Sequence, residues 1–371
     1  MLSDGPAVVR IDSIKKNTPG KSYYATAWPV GTLLASSWDT TLVKKIGIAF
    51  GNEVKEYGID ILLGPEMNIH RNPLGGRNFE YYSEDPLVSS MMAAAMVKGI
   101  ESNGVGTSIK HFAANNEETD RNTINTIVSE RALPEIYLKG FEIAVKMSQP
   151  WTVMSSNNLI NGTYTSERYD LLTSVLRKDW NFKGFVITDW FGKDALVQMI
   201  AGIDLLMPGS KNQTEAILDA VKNGTLSEIV LNNNVARILS LIVKSPTFNS
   251  YKHSDHPDLK QNAELARKAF HDKGKKVIII LNIGGVIEVK QWRDDVDAIL
   301  LAWQPGIEDG NAITDVLTAK VNPSGKLATT FPAKYNDKPT VKNFPGKEFP
   351  EKAGAMSMGV RSVPAEVIYE E

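Results

Sequence analysis

Between the amino terminus and about residue 245, short apolar runs alternate with longer segments whose apolar residues recur at helical spacing. The short runs predict buried strands, at residues 59–63, 106–109, 152–155, 185–188 and 204–207. The longer segments predict helices, at residues 41–57, 86–99, 130–146, 169–180 and 214–223. Regular strand–helix alternation favours a parallel sheet covered by helices, so we expect a TIM-like (β/α) barrel over residues 1–245.

A different pattern begins after residue 245. A stretch with prolines, serines and histidines, followed by one helical segment, predicts a linker and a helix over residues 246–274. Two strands and a helix then predict a second α/β unit over residues 275–371, with these elements at 277–281, 299–302 and 312–318. The last fifty residues are rich in proline, glycine and lysine, which indicates loops with few regular elements. The predicted fold class is therefore α/β, a barrel followed by a smaller unit.

Composition narrows the possible functions. The 371 residues include 41 Lys and Arg against 43 Asp and Glu, and no basic cluster is visible, so we expect no nucleic-acid partner. The chain has no cysteine, which rules out disulfides and thiolate metal ligands. No apolar run is long enough to span a membrane, and the first residues, MLSDGPAVVR, lack the features of a signal peptide. These features predict a cytoplasmic protein that does not enter a membrane.

No metal site and no cofactor site is predicted. The five histidines are scattered along the chain, and none belongs to a set with metal-ligand spacing. The segment NIGG at residues 282–285 follows a predicted strand, but it lacks the GxGxxG spacing of a dinucleotide site. We therefore expect a protein that works without a cofactor.

The segment KGFVITDW at residues 183–190 carries the strongest functional signal. An apolar strand ends there in one carboxylate, Asp189, and one indole, Trp190. In a (β/α) barrel the carboxyl ends of the strands form the active-site rim. A carboxylate at that position can attack the anomeric carbon of a sugar, and the indole can cover an apolar sugar face. The structural alternative is that Asp189 caps the following helix.

Charged residues in the loops after other predicted strands support a site on the same rim. Lys110 and His111 are adjacent at the end of one strand, and a buried lysine is costly unless it has a partner. His111 alone would more often be a core histidine with its hydrogen bonds satisfied. Arg77 follows another strand, but a structural ion pair with Glu80 or Glu84 explains it equally well.

Longer motifs occur along the chain in a recognisable order. They are DGP at residues 4–6, GPEMNIHRNPLGGRNFEYYSEDP at 64–86, KHFAANNEE at 110–118, SERALPEIYLKGFE at 129–142, VMSSNNLING at 153–162, GFVITDW at 184–190 and AGIDLLMPG at 201–209. In the second unit, AWQPG at 302–306 and NPSGKLATTFP at 322–332 continue the series. Together these motifs resemble glycoside hydrolase family 3, the β-glucosidase family. The resemblance implies that the second unit is a shortened form of the family's α/β sandwich domain.

The resemblance also implies a role for each matching residue. Asp189 matches the catalytic nucleophile of a retaining mechanism, and Trp190 matches the aromatic wall of the sugar subsite. Met154 keeps its position in the motif VMSSNNLING. The remaining matches are substrate-binding groups that contact sugar hydroxyls or line the same pocket: Asp4, Arg10, Arg77, Lys110 and His111. Charged groups suit this role because charge-assisted hydrogen bonds are stronger than neutral ones.

The chain also departs from the family pattern. Val8 stands where the family usually has glycine, and Asn157 stands where it usually has tyrosine. The amino terminus is shortened relative to the family, which leaves secretion open. A long family segment that usually carries the glutamate acid/base is missing between residues 269 and 277, so the acid/base of this chain is unknown. Glu117, Glu118 and Asp120, in the loop after Lys110 and His111, could assist. The acidic residues of the second unit lie in no family motif and are expected in turns or the tail: Glu308, Asp309, Glu370 and Glu371.

These inferences predict a retaining glycoside hydrolase that releases terminal β-D-glucosyl residues. Its substrate would be a β-glucoside or an oligosaccharide, and its activity would be impaired to the extent that the missing segment supplied the acid. A β-xylosidase is a close alternative, whereas a non-catalytic sugar-binding protein or a minimised barrel is an alternative of a different class. A second copy of the chain, in a homodimer, is one way to supply the missing half.

Overall fold

The computed structural model describes residues 1–12, 22–191, 193–254, 257–262, 265–266, 278–349, 356–357, 360–361 and 365–369. A five-stranded parallel sheet lies at its centre, and we call it the main sheet. Its strands, in spatial order, are β1 (Leu2–Asp4), β2 (Ile61–Leu63), β3 (Gly106–Phe112), β5 (Thr152–Ser155) and β8 (Phe185–Ile187). All of these except β1 are buried along their whole length, as expected for parallel strands covered on both faces.

The register of the main sheet aligns the carboxyl ends of its strands. Asp4 pairs with Leu63 at one end of the sheet, and Met154 pairs with Ile187 at the other. The pairing of β3 with β5 shifts before Phe112. Such an irregularity re-aims side chains near the end of a strand, so neighbouring residues of β3 can face the same site.

Helices connect these strands and continue beyond β8. They are α1 (Gly31–Ser36), α2 (Thr40–Glu56), α3 (Pro86–Glu101), α4 (Lys139–Ser148), a π-helical segment (Asp170–Asp179), α5 (Ala195–Ala201), α6 (Lys211–Lys222) and α7 (Glu228–Ile242). Asp39 and Asp85 each accept two backbone N–H hydrogen bonds at the first turn of a helix, which explains where α2 and α3 begin. These two helices can pack closely because Gly47 and Gly99 have no side chains at their contact. A Cβ added to Gly99 would lie only 2.8 Å from Gly47 Cα.

The α/β class is confirmed, and several predicted elements need correction. The strand predicted at 204–207 is wrong, because only Leu205 bridges to Ile187 there and Pro208, which lacks an N–H, follows almost at once. The pairing of the described strands therefore stops short of a closed barrel. The helix predicted at 130–146 is divided into a π-helical turn (Leu133–Tyr137) and α4. Helices α1, α5 and α7 and strand β1 lie outside the predicted elements.

A second sheet brings the end of the chain back to the first unit. Its strands, in spatial order, are β11 (Lys347–Glu348), β14 (Ala365–Ile368), β4 (Ile124–Ile127), β6 (Leu159–Ile160) and β7 (Thr163–Tyr164). Strand β14 pairs in parallel with β4. Tyr369 then stacks on Tyr137, and the Arg71 guanidinium lies over the Tyr369 ring. Segments far apart in sequence therefore meet beside the loop that follows β3.

The remaining elements belong to the second unit. Strands β9 (Ile278–Leu281) and β10 (Ala298–Leu301) form a parallel pair, and helix α8 (Asp309–Leu317) follows. These positions confirm the two predicted strands and the predicted helix with shifted ends, although Val277 lies outside the described residues. A small antiparallel pair completes the unit, β12 (Met356–Ser357) and β13 (Val360–Arg361). Most of the helix predicted before residue 274 is also outside the described residues.

The two units share an apolar contact. Trp303 and Leu300 of the second unit pack in one cluster with Val30 and Leu33 of the first. The predicted boundaries at residues 245 and 275 stay predictions. None of the helices in the described part of the chain combines the length and the apolar character needed to cross a membrane.

Candidate active site

The carboxyl ends of the main-sheet strands surround one polar pocket of about 330 Å³. Strand β1 ends at Asp4, β3 carries Lys110 and His111, β5 carries Met154, and Asp189 lies two residues after β8. The pocket contains every site residue predicted from the sequence and three more: Asp4, Arg10, Leu63, Arg77, Glu80, Lys110, His111, Arg121, Met154, Asp189 and Trp190. The structure therefore brings the predicted residues together, while their roles stay predictions.

Asp189 is buried in the wall of this pocket. Its Oδ1 accepts a hydrogen bond of 2.6 Å from the backbone N–H of Trp190, and its Oδ2 lies 3.9 Å from His111 Nε2. Burial raises the pKa of Asp189 above its ordinary value, and nearby cations act in the opposite direction. The alternative role as a helix cap is wrong, because Asp194 caps α5. The carboxylate is therefore available for chemistry.

A row of alternating charges runs along one side of the pocket, and we call it the charged row: Asp4, Lys110, Glu66, Arg77 and Glu80. Lys110 Nζ lies 2.6 Å from Asp4 Oδ1 and 3.0 Å from Glu66 Oε1. Arg77 Nη2 lies 2.5 Å from Glu66 Oε1 and 2.9 Å from Glu80 Oε2. These pairs supply the side chain of Lys110, only 4% exposed, with two carboxylate partners in the interior.

Asp4, at one end of the charged row, has a further partner at the edge of the pocket. Arg10 Nη1 lies 3.3 Å from Asp4 Oδ2, but the Arg10 side chain is 72% exposed. Burial alone would raise the pKa of Asp4, yet the charge and hydrogen bond of Lys110, together with the charges of Arg10 and Arg77, outweigh burial and the net pKa is lowered. Asp4 is therefore ionised at neutral pH, and Arg10 marks the solvent edge of the pocket.

His111 is fully enclosed between the charged row and Asp189. Its backbone is held by Asn68, whose side chain accepts from the His111 N–H at 2.8 Å and donates to the His111 carbonyl at 3.0 Å. Arg77 Nη1 lies 3.3 Å from His111 Nε2, so this nitrogen accepts and the ring proton belongs on Nδ1. Burial first, and then the nearby cations, place the pKa of His111 well below its ordinary value. The imidazole is therefore neutral at physiological pH.

Apolar groups complete the walls. The Trp190 ring is 47% exposed and lies beside Phe191, with 6.2 Å between the ring centroids. Met154 is buried on β5 next to the base of the pocket. Asn157, which replaces the expected tyrosine, is also buried but does not line the pocket. An exposed indole beside a polar pocket is suited to covering one face of a ring-shaped ligand.

The loop after His111 contributes further carboxylates. Glu118 lies 3.0 Å from Arg121 Nη1 and 3.9 Å from Arg77 Nη1, and it accepts a hydrogen bond of 3.0 Å from the Asn115 side chain. Glu117 instead accepts from the backbone N–H of Thr119 at 2.9 Å, and burial raises its pKa to about 7. Glu118 is thus tied to the cations of the pocket, and Glu117 is held by its own loop.

The acidic residues Glu308 and Asp309 of the second unit have local partners. Glu308 accepts a hydrogen bond of 2.8 Å from the Asn311 side chain, and Asp309 accepts from the backbone N–H of Gly310 at 2.6 Å. Both contacts lie at the start of α8. Glu370 and Glu371 are outside the described residues.

The sequence did not single out two charged residues of the site, Glu66 and Arg121. Glu66 follows Gly64–Pro65 directly after β2, so the rule that selected Asp189, a carboxylate just beyond a buried strand, would also have selected it. Arg121 lies at the end of the loop after His111 and carried no comparable signal. Among the described residues, no group of three or more His, Asp or Glu side chains is placed to hold a metal ion.

Comparison with known proteins establishes the family. Residues 6–241 match the family model described as "Glycosyl hydrolase family 3 N terminal domain". This match covers more than half of the chain and includes most of the residues that line the pocket. The chain belongs to glycosyl hydrolase family 3, as the sequence motifs predicted.

Individual relatives agree with this assignment. The chain is 33% identical to the thermostable beta-glucosidase B of Acetivibrio thermocellus, in an alignment that covers 94% of this chain and 63% of that protein. It is 39% identical to beta-glucosidase B of Emericella nidulans, with 78% and 34% covered. The solved structure of beta-glucosidase 3B from Thermotoga neapolitana in complex with alpha-D-glucose matches with a TM-score of 0.91 at 37% identity, covering 100% of this chain and 72% of that chain.

The chain is shorter than these relatives, and part of the difference is internal. It spans less than two thirds of the length of the A. thermocellus protein. Their alignment has 483 positions, whereas 94% of this 371-residue chain is about 349 residues, so the relative has about 134 additional positions inside the aligned region. The prediction of a shortened family member is confirmed.

Proposed function

We propose that this chain is a retaining glycoside hydrolase that acts on the terminal β-D-glucosyl residue of β-glucosides. The observation that carries the proposal is the convergence of a buried carboxylate, two paired cations, a neutral imidazole and an exposed indole on one pocket of about 330 Å³. That volume falls within the range of small-molecule sites. The names of the beta-glucosidase relatives and the glucose-bound structural neighbour support the same substrate class.

Asp189 is the proposed nucleophile. The Trp190 N–H holds Oδ1, which leaves Oδ2 to attack the anomeric carbon. The new Oδ2–carbon bond forms as the bond to the leaving oxygen breaks, and that oxygen departs with the bonding electron pair. Water then attacks the same carbon and gives up one proton to solvent, while the bond to Asp189 Oδ2 breaks and its electron pair returns to the carboxylate. The two inversions retain the β configuration.

The members of the charged row that line the pocket are the proposed binding surface for the sugar hydroxyls. A hydroxyl both donates and accepts, so Asp4 can accept from it while Lys110 and Arg77 donate to it. His111 lies between this row and Asp189 and presents its ring to the same space. Arg10 acts at the solvent edge, Met154 lines the floor, and Trp190 covers an apolar face of the sugar.

We also infer the finer architecture. The main sheet is the first part of a (β/α) barrel that ends near residue 245, and residues 275–371 are a shortened α/β sandwich. The match of residues 6–241 to the amino-terminal domain of the family supports the barrel. Superposition of the whole chain on a family 3 structure with a TM-score of 0.91 supports both units.

The leaving group sets the rate of the proposed reaction. Glu80 and Glu118 lie near the pocket, and each is paired with an arginine, which favours the ionised carboxylate over a proton donor. A dinitrophenolate departs without a proton, whereas an alkoxide leaving group needs one. An alkyl β-glucoside should therefore react about 10²–10⁴-fold more slowly than it would with a general acid present. The rate with dinitrophenyl β-glucoside should not show this loss.

Proton NMR of dinitrophenyl β-D-glucoside hydrolysis tests the proposal. The account predicts that β-glucose appears first and only later equilibrates with the α anomer, and that Asp189→Ala is inactive under the same conditions. The matching β-D-xyloside, measured in parallel, distinguishes a glucosidase from a xylosidase. A folded protein that binds glucose in calorimetry but hydrolyses neither substrate would instead be the non-catalytic sugar-binding barrel.

A further inference from the structure

Glu66 is a buried carboxylate to which the proposed reaction gives no direct role. It follows β2, and its backbone forms a parallel bridge with Lys110. The Lys110 N–H donates to the Pro65 carbonyl at 3.1 Å, and the Met67 N–H donates to the Lys110 carbonyl at 2.9 Å. Backbone pairing on both sides therefore fixes Glu66 against β3. Its side chain is fully enclosed and does not line the pocket.

One oxygen of Glu66 holds two cations. Oε1 lies 2.5 Å from Arg77 Nη2 and 3.0 Å from Lys110 Nζ. The two cations come from different segments, a loop and strand β3, and both line the pocket. Oε2 has no hydrogen-bond partner among the described residues, so both charge-assisted contacts are made by Oε1. Without that carboxylate, two buried positive groups would face each other and repel.

The influence of Glu66 extends to the reacting carboxylate. Arg77 Nη1 is 3.3 Å from His111 Nε2, which in turn lies 3.9 Å from Asp189 Oδ2. Burial opposes the charge on Arg77, but the Glu66 carboxylate and other anions outweigh burial and raise its pKa. A displaced Arg77 would therefore leave both the sugar and His111 without their usual neighbour.

We propose that Glu66 is a positioning residue whose shared oxygen sets the separation and direction of Lys110 and Arg77, an inference that rests on the proposed function of the pocket. Glu80 pairs with Arg77 and Asp4 pairs with Lys110, whereas Glu66 contacts both cations and so couples their positions. Coupling matters because neighbouring sugar hydroxyls must be met at the same time. A displacement of about 1 Å at a positioning group can cost about 10²-fold in rate.

The test compares Glu66→Gln with the matched control Glu84→Gln. Both changes remove one charge and keep the side-chain shape, but Glu84 contacts Thr330 and Lys338 outside the pocket. Labelling by an activated 2-deoxy-2-fluoro-β-glucoside, followed by intact-protein mass spectrometry, gives a rate constant and a final labelled fraction. We expect Glu66→Gln to lower the rate constant at saturating reagent by about 10²-fold with an unchanged labelled fraction, and Glu84→Gln to change neither.

A third variant adds a conservative change. Glu66→Asp keeps the charge but is one methylene shorter, so its carboxylate can approach only one of the two cations closely. Its labelling rate constant should lie between those of Glu66→Gln and the wild type. Equal rate constants for Glu66→Asp and Glu66→Gln would show that charge between the cations does not govern the site, and would contradict the proposal.

A purely structural role gives a different result. Glu66→Gln would then lower the labelled fraction through unfolding and leave the rate constant of the folded molecules unchanged, which would overturn the proposal. If the wild type itself is not labelled, the proposed function fails, and crystal structures of both proteins decide the role of Glu66. Lys110 Nζ and Arg77 Nη2 staying within about 0.5 Å of their wild-type positions would contradict the inference, and a larger displacement would support it.

Discussion

The two ends of the main sheet both contain buried acidic side chains, and their partners differ in kind. At the amino ends of the strands, Glu101 Oε1 accepts from the backbone N–H groups of Thr107 and Trp151 at 3.1 and 2.8 Å. Asp204 accepts from the Val186 N–H at 2.7 Å and also pairs with Arg177. That cation also donates to the Gly184 and Gly202 carbonyls and is therefore tied to the backbone as well. At the carboxyl ends, Asp4, Glu66 and Glu80 pair with the side chains of Lys110 and Arg77 instead.

This difference between the two ends of the main sheet assigns one set of acidic side chains to stability and the other to the pocket. A carboxylate bonded to the backbone of two neighbouring strands or loops ties those segments together and has nothing left for a ligand. A carboxylate bonded to a flexible cation positions that cation, and the cation keeps further donors for another molecule. The same residue types therefore stabilise the fold at one end of the sheet and line a pocket at the other, a division of labour that is also found in (β/α) barrels.

The sharpest test of this separation is Asp189→Ala. Removing the proposed nucleophile should reduce hydrolysis of dinitrophenyl β-glucoside by about 10⁴-fold or more. Because burial raises the pKa of Asp189, its removal should leave the melting temperature equal or higher. Calorimetry beside the rate measurement checks both parts, and a melting temperature lower by several degrees would assign the carboxylate to the structure.

The opposite behaviour is expected for Arg177→Ala. Arg177 Nη2 lies 2.5 Å from the fully buried Asp204 carboxylate, and Nη1 donates to the Gly184 carbonyl at 2.9 Å. Arg177→Ala removes one cation from the buried Asp204 carboxylate, leaves the Arg237 pair in place and breaks the hydrogen bond to Gly184, so it should lower the free energy of unfolding by up to about 3 kcal/mol. Urea denaturation measures that loss. The labelling rate constant of the folded protein should not change, and a tenfold fall would remove the distinction between the two ends.

The amino end should also show a characteristic pH dependence through Glu101. Partial burial raises its pKa from 4.5 to about 7, so between these values the folded state holds a proton that the unfolded state has released. The contribution of Glu101 to stability should therefore be lost as pH rises through this window, whereas the lowered pKa of His111 contributes with the opposite sign in both proteins. Relative to the wild type, Glu101→Gln should gain stability as pH rises. Melting temperatures of both proteins between about pH 5 and 8 provide the comparison. Glu117 contributes with the same sign in both proteins, and identical slopes would rule out Glu101 as the source.

The smallest effect is expected at the exposed edge of the charged row. Arg10 is 72% exposed and lies 3.3 Å from Asp4, and exposed ion pairs contribute about 0–1 kcal/mol. Arg10→Ala should therefore change the labelling rate constant by less than about fivefold. A loss as large as that expected for Glu66→Gln would show that the pocket extends further toward solvent than its present walls.

Local sequence signals predicted the strands that carry the site. Strands β2, β3, β5 and β8 are short apolar runs bounded by polar loops, and the alignment of parallel strand ends then places Asp4, Lys110, His111 and Asp189 side by side. The pairing of β14 with β4 left no such signal, because the two strands are more than two hundred residues apart. The strand predicted at 204–207 is reduced to one bridged residue. The Leu205 N–H donates to the Val186 carbonyl and its carbonyl accepts from the Thr188 N–H, but the ladder ends before Pro208, which lacks an N–H.

The charged residues of the pocket divide in the same way. Asp189 stands out because it ends an apolar run, and family motifs mark the other predicted residues. Glu66 ends a run as well, but its importance depends on Arg77 and Lys110, which reach it from other segments. The partners of a buried charge come from tertiary structure, and a local pattern contains no information about them.

The most direct test of the account is the identity of the labelled residue. The protein is incubated with the activated 2-deoxy-2-fluoro-β-glucoside and digested, and the modified peptide is sequenced by mass spectrometry. The account predicts one glucosyl adduct, on Asp189 at the carboxyl end of β8. An adduct on another carboxylate of the pocket, or no adduct in a protein shown to be folded, would contradict it.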